Sequence, residues 1–129
     1  MDEILLDSDV IIAWLRGYEP YDRLLPHLLE QGHSLAWTPV SVAEIFAGVR
    51  SAEAATVENL FLILDFVSLS PEAGKQAGRY MNAYSRSHGV ELADALIAAA
   101  ASTRGTPLWT LNRKRYPMRD VRFYAPPRL

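Results

Sequence analysis

Short apolar runs recur along this chain, and the stretches between them are long enough for one or two helices each. Residues 3–7 read as a buried strand ending at Asp7, residues 34–37 as a second, 66–69 as a third and 108–110 as a fourth, with 121–124 a candidate fifth. Helical periodicity fills the gaps. Val10, Ile11, Trp14 and Leu15 precede Gly17, and Leu24, Leu25, Leu28 and Leu29 form one stripe between Pro20 and Gly32. Thr38-Pro39 and Ser70-Pro71 are helix starts, residues 53–64 and 92–103 are helical, and Gly89 and Gly105 are helix ends. Strands alternating with helices imply an α/β fold with a mainly parallel sheet of four to five strands. In such sheets the ligand crevice lies beyond the carboxyl ends of the strands.

Three acidic residues are embedded in these apolar segments: Asp7 at the end of the first strand, Glu44 in Val42-Ala43-Glu44-Ile45-Phe46, and Asp94 in Leu92-Ala93-Asp94-Ala95-Leu96. Carboxylates are rarely buried unless paired or bound to a cation. Each has a local explanation on its own: Asp7, Ser8 or Asp9 as a helix cap, Ser41-x-x-Glu44 as a capping box, Asp94 as a partner of a helix dipole. Taken together they suit a hard cation, Mg²⁺ or Mn²⁺, at one mouth of the sheet.

Other chemistry is excluded by composition. With no cysteine there is no disulfide, thiol nucleophile or thiolate metal site, and the three histidines are scattered at 27, 33 and 88. A chain of 129 residues fits one domain, over residues 1–129. Its start, Met1-Asp2-Glu3, lacks the basic region of a signal peptide, and no apolar run is long enough to span a bilayer, so a cytoplasmic protein is expected. The net charge of −2 conceals an asymmetry: Arg113, Lys114, Arg115, Arg119, Arg122 and Arg128 crowd the end of the chain with Asp120 as their only acidic neighbour. Such a tail beside carboxylates fits a polyanionic substrate.

The ordered segments Leu6-Asp7-Ser8-Asp9-Val10-Ile11-Ile12, Thr38-Pro39-Val40-Ser41-Val42-Ala43-Glu44-Ile45-Phe46, Leu92-Ala93-Asp94-Ala95-Leu96-Ile97 and Thr110-Leu111-Asn112-Arg113-Lys114 resemble the successive motifs of PIN-domain ribonucleases, closest to the VapC toxins of bacterial toxin–antitoxin pairs. The resemblance implies a PIN-like three-layer α/β/α fold. It also implies that Asp7, Glu44 and Asp94 bind metal, that Asn112 stands where many members carry a fourth acid, and that Ser8 and Thr110 match small hydroxyl positions supporting the site. A further Asp common in relatives is replaced here by Arg115-Tyr116. The activity implied is Mg²⁺- or Mn²⁺-dependent RNA hydrolysis, on tRNA or ribosomal RNA more than bulk message. Arg113, Lys114 and Arg115 would contact flanking phosphates. Implied partners are a VapB-type antitoxin, seated in a groove on the early helices near Trp14, Leu15 and Leu24–Leu29, and a second copy of the chain in a homodimer or a larger antitoxin complex. The rival readings are a non-catalytic PIN-like binding module, a small phosphohydrolase built on Asp7-Ser8-Asp9, and a receiver domain. The phosphohydrolase needs an acid pair where Leu111-Asn112-Arg113 stands, and the receiver needs an Asp where Ser68-Leu69-Ser70 stands.

Overall fold

The computed structural model describes residues 2–129. Four parallel strands form one sheet in the order β3-β2-β1-β4: β1 is Glu3–Leu6, β2 Ser34–Trp37, β3 Asp65–Phe66 and β4 Leu108–Trp109. The helices are α1 (Ser8–Leu15), α2 (Tyr21–Glu30), α3 (Pro39–Ala47), α4 (Ala54–Ile63), α5 (Pro71–His88) and α6 (Leu92–Arg104). Strand side chains alternate between two cores, as the period of two demands. Leu5, Ala36 and Leu108 point into a layer with α5 and α6, while Ile4, Leu6, Leu35, Trp37 and Trp109 point into a layer with α1, α2 and α4. The result is the three-layer α/β/α sandwich expected, with the central strands covered on both faces.

Alanine fixes how close one of these layers lies. Ala95, Ala98, Ala99, Ala100 and Ala101 are buried along α6, and Ala73 and Ala77 are buried on α5, so the two helices approach with little side chain between them. Both helices end on a glycine with positive φ, Gly89 at 65° and Gly105 at 68°, where any other residue would be strained.

Two strands differ from the sequence reading. The third lies at Asp65–Phe66 rather than at 66–69, and both its residues are exposed, because it is the short edge of the sheet. Pairing continues one step further through Val67 N–H to the Trp37 carbonyl at 2.9 Å. The candidate fifth strand is reduced to one bridge between Leu108 and Phe123. The early leucines also turn inward. Leu24, Leu25 and Leu28 are core, whereas Phe61, Leu62, Ile63 and Phe66 are among the exposed apolar side chains. Trp14, Leu15 and Leu29 on the early helices are partly buried, and Leu15 lines a pocket with Ile12, Ile45, Val49 and Val57. Among the described residues no helix is long and apolar enough to cross a membrane.

Candidate functional site

The carboxyl rim of the sheet is where the chain leaves β1 at Asp7, β2 at Thr38 and β4 at Thr110, and all three side chains are buried there. Asp7 is the N-cap of α1: its Oδ1 accepts the Ser8 N–H at 2.8 Å. Its Oδ2 accepts two hydroxyls, from Thr110 at 2.8 Å and Tyr116 at 2.7 Å. A carboxylate with no exposed surface thus has its oxygens satisfied by protein donors rather than by water. Burial, and after it the Asp7 charge and hydrogen bond, push the Tyr116 hydroxyl far above its ordinary range, so it remains a donor at every working pH.

Asp94 enters from another direction. It lies in the first turn of α6, where the helix dipole favours an anion. Its side chain is 9% exposed and meets Arg115, whose Nε and Nη2 both approach Oδ1, at 3.1 and 2.5 Å. Arg115 closes the short 3₁₀ turn Arg113–Arg115 that follows β4. It is thus committed to an acid of the site, in contrast to its neighbours Arg113 and Lys114, which are exposed. The Arg113 guanidinium lies 5.0 Å from the centre of the Phe123 ring.

Glu44 differs from the two aspartates in being exposed. Thr38 caps α3, accepting the Ser41 N–H at 3.3 Å with Pro39 following, which puts Glu44 in the second turn on the solvent face. The capping-box alternative is absent: the Ser41 hydroxyl has no partner, and Glu44 instead accepts the Ser8 hydroxyl at 2.7 Å. Ser8 therefore aims its hydroxyl at Glu44, and Thr110 aims its own at Asp7 and, at 3.4 Å, Asp9. Asn112 is exposed, and its backbone N–H reaches the Thr110 hydroxyl at 3.1 Å. Glu44, Glu91, Asp94 and Arg115 line an open cleft of about 410 Å³.

Two members of this cluster were not among the site residues expected from the sequence. Asp9 accepts the Leu111 N–H at 3.2 and 3.3 Å and ties α1 to the loop after β4. Burial, and then the Asp7 charge, raise its carboxyl from 3.8 to about 6. Its spacing of two from Asp7 was the available signal, since it places both acids at the start of one helix. Tyr116 had none: an aromatic residue among arginines looks like a surface residue until the fold brings it under Asp7.

The donor set is all hard oxygen, and Asp9 is raised first by burial and then by the Asp7 charge beside it. Among the described residues no three acidic or histidine side chains converge closely enough to cage an ion unaided. Mg²⁺ is held more often by one or two carboxylates with water and substrate phosphate than by a full protein cage. The residues fit that mode, with Asp7, Asp94 and Glu44 as candidate ligands and Asn112 at the rim.

A PIN-domain profile matches residues 4–123. The chain is 39% identical over 116 residues to ribonuclease VapC10 of Mycobacterium tuberculosis, spanning 89% of this chain and 86% of that protein. It is 31% identical over 115 residues to ribonuclease VapC19 of the same organism, spanning 88% and 92%. In three dimensions it superposes on the DNA-bound VapBC of Salmonella typhimurium with a TM-score of 0.77 at 20% identity, covering 96% of this chain and 98% of the other.

Proposed function

The chain belongs to the PIN-domain family, and from that premise we propose that it is an endoribonuclease toxin of the VapC type, hydrolysing RNA phosphodiester bonds with Mg²⁺ or Mn²⁺ and neutralised by a cognate VapB-type antitoxin. What supports the reading is a chain of links among the three acids at the carboxyl rim: Ser8, next to Asp7, donates to Glu44; Glu44 and Asp94 line one cleft with Arg115; and Tyr116, next to Arg115, donates to Asp7. Asp7, Asp94 and Glu44 would hold the ion, which when bound supplies Lewis acidity at the scissile phosphate and a more acidic water.

The protein's own part is positioning. Thr110 and Tyr116 fix the orientation of Asp7, and Ser8 fixes that of Glu44. The three hydroxyls donate to the carboxylates and so fix where their oxygens point. Arg113 and Lys114 stand where phosphates flanking the scissile bond would pass, giving register without base selectivity. The substrate is a cytoplasmic structured RNA, tRNA or ribosomal RNA rather than bulk message. Selection rests on loop shape and unstacked bases. The toxin works as a homodimer that joins its antitoxin in a heterotetramer or larger assembly.

The test is cleavage of total bacterial RNA by the purified chain with Mg²⁺, Mn²⁺ or EDTA, beside Asp7→Asn and Asp94→Asn. Discrete metal-dependent fragments lost in both variants are expected. Fragments that persist in EDTA, or in either variant, would defeat the proposal.

A further inference from the structure

Among the described residues Arg115 is the one cation paired with an acid of the site. It comes from the turn after β4, and consecutive residues reach two acids on two different elements: Arg115 grips Asp94 at the start of α6, and Tyr116 grips Asp7 at the end of β1. The guanidinium also lies 5.9 Å from the Tyr116 ring and is near enough for its charge to act on Asp7 and Asp9. The grip on Asp94 has an unusual form. A guanidinium usually meets a carboxylate with two parallel hydrogen bonds, one to each oxygen. Here both nitrogens approach Oδ1, and among the described residues Oδ2 accepts no hydrogen bond. Asp94 is thus paired on one oxygen only, and it lines a cleft with Glu44, Glu91 and Arg115 itself.

We propose that Arg115 is a positioning residue that sets the metal affinity of this site: it is the resident counter-cation of Asp94, and a divalent ion binds there only against it. The proposal rests on the metal-dependent reading above. Two positive charges sharing one carboxylate repel each other, so guanidinium and metal ion are coupled negatively, and the coupling is reciprocal. The ion loosens the Arg115–Asp94 pair, and the pair weakens the ion. With the ion absent, Arg115 keeps the buried acids from facing one another uncompensated, so the cluster stays assembled without metal. With the ion present, occupancy follows its free concentration instead of being permanent.

Mn²⁺ binding measured by calorimetry and electron paramagnetic resonance tests this on the full chain, with no RNA present. Arg115→Gln is expected to bind Mn²⁺ roughly tenfold more tightly, as removal of one charge-assisted pair implies. Arg115→Lys, which keeps the charge, is expected to stay within about threefold of the parent protein. The gain should vanish when Arg115→Gln is combined with Asp94→Asn, because the effect runs through Asp94. A structural role alone predicts instead that Arg115→Gln binds no better or worse, with Arg115→Lys behaving like it. Thermal unfolding gives a second reading that holds even if Arg115→Gln is marginally folded. Without metal that variant should melt lower than the parent, and added Mn²⁺ should raise its midpoint by more. Equal, Asp94-dependent Mn²⁺ binding in parent and Arg115→Gln would overturn the role of Arg115 and leave the metal reading standing. Absence of Mn²⁺ binding in both would overturn the two together.

Discussion

Asp7 accepts three hydrogen bonds from three parts of the chain, and its surroundings decide what single substitutions do. Tyr116→Phe removes one charge-assisted bond from a buried carboxylate that keeps its other two donors. A loss of about 1.5–3 kcal/mol in urea unfolding is expected, with a fall in cleavage rate from the looser Asp7. Asp9 acts in the opposite sense. Its folded-state carboxyl is raised from 3.8 to about 6, so between those values the folded protein binds more protons than the unfolded chain. Stability of the metal-free protein therefore falls as pH rises through that window and stays lowered above it. Asp9→Asn should raise the melting temperature at pH 7.5 and change it little near pH 4. A rise at both pH values would detach the effect from ionisation. At this scale the sequence was partly legible. Asp7 and Asp94 stood out because a charge in an apolar run is costly, and both are buried. Glu44 shared that apolar context, yet it is exposed, because its flanking residues divide between the two sides of α3: Ile45 is buried while Ala43 and Ala47 face solvent. Tyr116 was illegible because its partner lies 109 residues away.

Elements proved easier to read than residues, since capping and periodicity are local. Thr38-Pro39, Ser70-Pro71, Gly89 and Gly105 fall at helix ends as their chemistry requires. The failures were at the sheet edges: β3 has two residues and the segment after Asp120 forms one bridge, because little sheet surface remains there for side chains to cover. Thr38 deserves a direct test, being both the cap of α3 and fully buried. Thr38→Ala should cost about 1–2 kcal/mol in urea unfolding. It should also lower cleavage beyond that loss, since a frayed α3 start shifts Glu44 away from Ser8. Unchanged activity in the folded variant would show that the first turn of α3 does not hold Glu44.

At the scale of the whole molecule, Asp7 and Asp94 are buried at the rim while Arg113 and Lys114 are exposed. RNA affinity should then fall steeply with salt, because phosphate contacts release counterions. Replacing both Arg113 and Lys114 with Gln should reduce the slope of log K against log salt by roughly 1.4 if each touches one phosphate of a single strand. An unchanged slope would make the pair a solvated surface feature.

The distance along the chain between Asp7 and Tyr116 also has a consequence in time. A ribosome adding about 5–20 residues per second makes Tyr116 roughly 5–20 s after Asp7. Over that interval the growing polypeptide carries the first acid without the hydroxyls that orient it. A fragment ending before Thr110 lacks both of those donors. The first acid of the site is thus made early and its orientation completed late, an order set by chain topology.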